Sequence, residues 1–490
     1  MSFLVASLFF LFMGHLLGIS LGLFHHKIAF YTLLYFATVP FLIKRLNWTN
    51  KFKGKLESNY NFGRTSLYLI LGLGQLMFLH SLVKNAHVIY PSNFKIQVIF
   101  DAVLSLTQSF SVCLFTILCA TILTGKNELG KKLIILYRIL AVAIISLLIC
   151  AQFLIPALSP HPLIDVFVNN TAAVDFFLKG KNPYSQTYVD IYHGLFSYLP
   201  GFLYFPGLLF CLAPFRYLFG DIRFTFVFAQ ILNAILIYRI AKRRGPAKPG
   251  KNQQEADRQS VVMAEAILPF LLPALWLSFP VTYHVLEQSW TDTLLIAFTF
   301  LIVDSIDLRR WAWVGILAGL VFTTKQYGFV ISLFAILRVT QVGGLYQGIR
   351  CACFAAGAFS AVLIPFIISN FKGLYAMSIQ AQTGPGIRTD SLGMSAFFAL
   401  KWGYYLPGVA QVLIGVLGIG GGVWMLWSDP VKKTDRMAVA LFFSYGCSFL
   451  FGKWSFCNYH YLLASFLMLY LATVLEARES LNLRIAQSSK

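Results

Sequence analysis

Charge is scarce in this chain of 490 residues. Only 12% of positions are Asp, Glu, Lys or Arg, against 58% apolar, where a soluble domain carries about 25% charged residues. Mean hydropathy is +0.70. So little charge excludes a water-facing body of this size. Period-two alternation in segments of about ten residues is also missing, which argues against a transmembrane β-barrel. The eight cysteines include no CxxC pair, and only one residue separates Cys351 from Cys353. They read as small apolar packing residues rather than a zinc site or a disulfide framework. No metal-ligand spacing is found, so no cofactor is expected; a divalent cation held by Asp165, Glu287 and His460 is open but unsupported. No internal repeat is found, which withholds support from an inverted-repeat transporter. Gly315, Gly319 and the glycine-rich run 415–422 read as close helix packing rather than phosphate loops. The segment from Met1 to Phe24 lacks a basic n-region and a cleavage site, and reads as a first span, not a removed signal peptide.

What is present is a series of apolar runs of about 18 to 25 residues, each long enough to cross a bilayer. Backbone groups in hydrocarbon must be satisfied within the segment, so these runs should be helices. Lys and Arg number 39 against 19 Asp and Glu, a net charge of +20. The bases fall mostly in short loops, which is the positive-inside pattern rather than a nucleic-acid footprint. Taking 44–64, 126–132, 242–258, 304–310, 338–350 and 429–436 as cytosolic loops gives about fourteen spans. They lie near 2–24, 28–43, 66–83, 97–123, 133–157, 222–241, 260–283, 290–304, 311–324, 326–340, 350–370, 404–427, 436–452 and 457–475, with both termini inside. The run from Pro200 to Phe219 would move the basic 242–245 loop outside if it crossed, so it is expected to be interfacial or re-entrant. The outer segments are then Leu158 to Asp221 and Phe371 to about Trp402.

The first outer segment opens with LIDVFVNNTAAVDFFLK at 163–179. At 100° per residue, Asp165, Asn169, Ala172 and Phe176 share a face opposite Leu163, Phe167, Val174 and Leu178. This is an amphipathic helix lying at the interface. Pro156, Pro160 and Pro162 mark the end of the preceding span, so Asp165 is held at membrane level. The blander alternative is a solvated face or a carboxylate beside a helix N-terminus. Then follow GKNPY at 180–184, YFPG at 204–207, LFGDIR at 218–223, and an apolar helix with Asn233. By itself GKNP is good stop-and-turn chemistry.

This order resembles the GT-C glycosyltransferase superfamily, and is most similar to the bacterial polyprenyl-phosphate-mannose-dependent mannosyltransferases. Phe205-Pro206-Gly207 stands where those enzymes have Pro-Pro or Tyr-Pro-Pro, and the first hundred or so residues have no counterpart. The resemblance implies an all-α, GT-C-like polytopic membrane protein with Asp165 as catalytic base. It also implies a polyprenyl-phosphate sugar donor and a glycan, lipid or protein acceptor. Transfer of a mannose-like hexose would invert the anomeric carbon on the extracytoplasmic or lumenal side of a bacterial plasma membrane or endoplasmic reticulum. The chain then divides into N-terminal helices of unassigned role (1–130), a catalytic module (131–475) and a cytosolic tail (476–490).

An inverting transfer needs one base for the acceptor hydroxyl and cations or amides for the departing phosphate. Lys325 and Arg388 are the candidates for the phosphate; snorkelling and a solvated loop arginine are their alternatives. Glu287, His460 and Asn169 are candidates for sugar or supporting contacts. A polar helix end would equally explain Glu287, and an interfacial aromatic belt His460. Two rivals stand beside the enzyme: a flippase or transporter for lipid-linked glycans, and a non-catalytic membrane scaffold.

Overall fold

The computed structural model of the protein describes residues 2–21, 23, 60–86, 92–124, 128–195, 200–243, 255–383, 386–428 and 435–473. These residues are helical and include no strand. In chain order the helices are α1 (Ser2–Ser20), α2 (Tyr60–Ala86), α3 (Phe94–Thr124), α4 (Glu128–Leu158), α5 (Asp165–Leu178), α6 (Gly207–Phe219), α7 (Phe224–Arg243), α8 (Glu255–Leu277) and α9 (Thr282–Glu287). There follow α10 (Asp292–Asp307), α11 (Trp311–Thr324), α12 (Gly328–Gly343), α13 (Leu345–Tyr375), α14 (Met394–Trp402), α15 (Gly408–Trp427), α16 (Asp435–Leu450) and α17 (Cys457–Thr473).

Among the described residues five helices are long and apolar enough to cross a membrane: α3, α4, α7, α13 with its extension to Thr383, and α15. Several others are apolar but shorter. A helix stands at each expected span except 28–43, which lies outside the described residues. Exposed Trp402, Tyr404 and Tyr405 precede α15, and exposed Trp424 and Trp427 end it. That is the two-belt pattern of aromatics at both membrane–water boundaries.

Three expectations need correcting. The stretch from Phe371 to Trp402 is not mainly loop. α13 kinks at Asn370 (φ −161°, ψ 80°) and continues, through a π-helical turn at Ala376–Gln380, to Thr383. The helix restarts because Asn370 Oδ1 accepts the Gly373 N–H at 2.9 Å, the work of a capping side chain. Asp304 is not a loop residue either. It is buried in the last turns of α10 and pairs with Arg239 and Arg243 of α7. Arg338, expected in a loop, is buried in α12 and donates to Gln341 at 2.6 Å, whose amide reaches the Leu426 carbonyl. Buried charges need partners, and helix-borne neighbours supply them here.

The run 200–219 yields only α6, whose 13 residues span roughly 20 Å. That is short of the ~30 Å hydrocarbon core. α6 folds back on α7 through Phe215–Phe228 and Phe219–Phe224 contacts, and its start, Gly207, abuts Thr323 at the end of α11. On the other flank α1, α2 and the turn after α8 meet in a Phe10–Phe78–Phe279 cluster. There the Gln75 amide is shared between Ser111 and Ser278.

Glycine sets the closest helix approach, as expected. A Cβ on Gly315 would lie 2.4 Å from the Cys351 carbonyl oxygen, and one on Gly319 2.3 Å from that of Ala355. At Gly357 of α13 nothing lies within 4 Å. Gly319→Val should therefore force α11 and α13 apart at a cost of about 1–3 kcal/mol. It should lower the thermal midpoint in detergent, whereas Gly357→Val should not. Equal midpoints for both variants would contradict this packing.

Candidate functional site

The linker after α4 carries Pro160 and Pro162, and Ile164 enters α5 in extended geometry with no side-chain cap. The Asp165 N–H meets the Tyr192 hydroxyl at 3.5 Å, and the Asp165 carboxylate turns back to its own helix. Its Oδ1 accepts the Val166 N–H at 2.9 Å, an arrangement the helix dipole favours. The Tyr192 hydroxyl approaches the same oxygen at 3.4 Å.

Asp165 and Asn169 line a small, partly open pocket with residues 189–192 and Pro200. Asn169 is 5% exposed and its Oδ1 has no partner; Asn170 Nδ2 and Thr171 Oγ1 are likewise buried and unpaired. Each such atom costs about 1–3 kcal/mol. Of the three, only Asn169 lines the pocket beside Asp165. The two sides of α5 divide between protein and open surface. Asn169, Asn170, Ala173 and Val174 face the protein, while Leu163 and Leu178 of the apolar stripe are exposed. Phe167 turns inward because a guanidinium stacks on it.

That guanidinium is Arg223, fully buried. It forks onto Asp221, with Nη2–Oδ2 at 2.6 Å, and donates to the carbonyls of Ser159 (2.6 Å) and Pro156 (3.1 Å). It lies 4.7 Å from the Phe167 ring centroid. Arg223 thus grips the chain on both sides of Asp165. Glu287 belongs to the same network: it is buried and accepts the Ser159 hydroxyl at 2.8 Å. The far end of α5 is pinned by a two-pronged Asp175–Arg216 pair at 2.7 and 2.9 Å. Next to it the Tyr184 hydroxyl donates to the Tyr204 carbonyl at 2.7 Å.

Arg388 reaches the site from the segment after α13. It forks onto Asp390 at 2.8 and 2.7 Å and stacks over Phe456. Arg388 holds the Asp390 carboxyl below its ordinary range. Its charge is also felt at Tyr192, whose phenol is pushed up to about 12, by burial first and then by Asp165. His460 is buried, with Nε2 3.0 Å from the Leu392 carbonyl and 3.1 Å from Ser455 Oγ. With Arg388 N–Lys453 O and Leu392 N–Ser455 O bonds, it straps the segment bearing Arg388 to the start of α17.

Lys325 is 5% exposed and ion-paired with buried Asp292 at 2.9 Å. Asn458 donates to the same carboxylate oxygen at 2.6 Å, and the Tyr327 hydroxyl bonds the other. The rings of Tyr204, Tyr327 and Tyr459 surround the ammonium at 4.7 to 5.6 Å. Tyr204 belongs to this cluster and does not itself line the pocket. Burial raises its phenol pKa well above the ordinary value, and the Asp292 and Asp165 carboxylates both add to the shift.

Asp165 and Asn169 thus share the pocket wall. Arg388, Lys325, Glu287 and His460 do not line it: Arg388 acts on Tyr192 through its charge, Lys325 sits against Tyr204, and Glu287 and His460 hold neighbouring segments. Among the described residues no group of three or more His, Cys, Asp or Glu could hold a metal ion. Sequence reasoning passed over Asp190 and Tyr192, and it quoted Tyr204 and Arg223 within motifs without giving either a role. The Asp221-x-Arg223 spacing offered a signal for the last. For Asp190 the signal was a turn ending at Gly194, whose N–H its carboxylate accepts. Comparison with family models, curated proteins and solved structures finds no match to this chain.

A raised phenol pKa means that the folded state holds the Tyr192 proton more tightly than the unfolded chain. Its contribution to stability is full below pH 10 and is lost as pH climbs towards 12. Asp165→Asn should lower the Tyr192 titration point, though burial should keep it above 10. Ring-carbon NMR of labelled tyrosine reads this directly, and an unmoved titration would show that the two groups are not coupled.

Proposed function

We propose that the protein is an inverting glycosyltransferase that moves a hexose from a polyprenyl-phosphate donor to an acceptor hydroxyl. The observation that carries this reading is the seating of Asp165. A carboxylate held at the start of α5 opens onto a pocket whose wall also offers the Asn169 amide. Asp165 would take the proton of the acceptor hydroxyl as its oxygen attacks the anomeric carbon. The bond from that carbon to the phosphate oxygen breaks on the opposite face, and polyprenyl phosphate leaves. Arg388 is the cation best arranged to meet the phosphate, because its fork needs only to exchange a half-exposed Asp390 for another anion. Lys325 supplies positive charge from behind Tyr204 while it stays paired with Asp292. The resemblance over 160–240 supports the donor class and a mannose-like sugar. The basic-loop pattern supports an extracytoplasmic or lumenal site.

One observation favours a second reading, a flippase for lipid-linked glycans. The Asp292–Lys325 pair is a buried ionisable couple among packed helices, a usual mark of a transport path. Glycan and lipid-linked-sugar profiling of cells separates the two. With Asp165→Asn the transferase reading expects product glycan to fall by about 100-fold or more, with lipid-linked donor accumulating. Unchanged product with this variant would overturn the reading. Product lost only with Lys325→Met would favour transport.

A further inference from the structure

The middle of α13 carries no charge from Cys351 to Phe371, between exposed Arg350 and exposed Lys372. At 1.5 Å per residue this stretch is about 32 Å long, which matches a hydrocarbon core of ~30 Å. Lys372 is thereby set at headgroup depth. The turn after α5 is fastened to the same level. Asn182 donates to Ser369 Oγ at 2.9 Å, and Asn370 donates to Ser185 Oγ at 2.7 Å and to the Tyr184 carbonyl at 3.3 Å. Gly373, next to Lys372, leaves no room for a Cβ against that carbonyl, at 2.1 Å. Lys179 and Lys181 of this turn are exposed, as is Lys372.

Among the described residues none of the three lysines has a carboxylate partner, and the nearby Asp175 is committed to Arg216. Below them lies bare apolar surface: Ile368 is 79% exposed, Phe371 58% and Leu178 44%. Unpaired cations above an unpartnered apolar flank fit an amphiphile with an anionic head. We propose that Lys179, Lys181 and Lys372 bind the headgroup of an acidic phospholipid of the bilayer, whose acyl chains cover Ile368, Phe371 and Leu178. The lipid ties the end of α5 to α13. This site does not depend on the transferase reading.

The test is native mass spectrometry of the full-length protein from nanodiscs of phosphatidylcholine mixed with phosphatidylglycerol. Wild type should retain phosphatidylglycerol in preference to phosphatidylcholine. Lys179→Gln/Lys181→Gln/Lys372→Gln should cut that retention by at least about tenfold, and Lys401→Gln, an exposed lysine elsewhere, should leave it intact. The single variants Lys181→Gln and Lys372→Gln should each give part of the loss, which guards against misfolding of the triple variant. Added polyprenyl phosphate or inorganic phosphate should not displace the phospholipid. Equal retention by the triple variant, equal retention of phosphatidylcholine, or displacement by either phosphate would overturn the proposal.

Discussion

A buried guanidinium holds the segment on which the candidate site stands. Arg223 has no contact with solvent. Its N–H groups go to Asp221 and to the carbonyls of Pro156 and Ser159, and its flat face to Phe167. Those carbonyls belong to the end of α4 and the start of the linker, while Phe167 sits in the first turn of α5. Asp165 lies between them. A proline-rich linker alone would leave that carboxylate free to wander by several ångströms. Catalysis by a positioned base tolerates little such freedom. Breaking a buried, hydrogen-bonded ion pair is costly because the remaining charge stays stranded, so the brace holds the geometry as well as the fold.

The other charges near the site follow the same logic at lower depth. Arg388 is held by Asp390 on a segment strapped down through His460 and Ser455. Lys325 is held by Asp292, Asn458 and three tyrosines. Arg388 is partly exposed beside a half-exposed Asp390, and Lys325 is buried. On the proposed transferase reading, Arg388 would meet the ligand and Lys325 would set the field around it. At the far end of α7 and α10, Asp304 pairs with Arg239, which lies inside the expected span, and with Arg243, which the loop pattern alone would place in water.

Much of the fold was legible because apolar length and helix punctuation are local properties. The α5 boundary came within two residues of the expected 163–179, since Pro162 and Gly180 frame it. The close approach at Gly315 and Gly319 was readable from residue size alone. What sequence could not show was pairing at long range. Ser159 and Glu287 are 128 positions apart, and Asn458 and Asp292 166. No periodicity encodes such contacts. The inward turn of Asn169 and Asn170 was missed for a related reason: a helical wheel gives the faces but not which face meets the protein. The helical run from Phe371 to Thr383 was hidden because a single asparagine, Asn370, both breaks and restarts the helix.

The central claim is that a lipid-borne phosphate sits between Asp165 and Arg388. Cryo-electron microscopy of the full-length protein with a non-transferable polyprenyl-phosphate sugar analogue tests it directly. The account predicts headgroup density against Arg388, with the sugar ring beside Asp165 and Asn169. Density lodged instead against the opened Asp292–Lys325 pair, or an empty Asp165 pocket at saturating analogue, would contradict it.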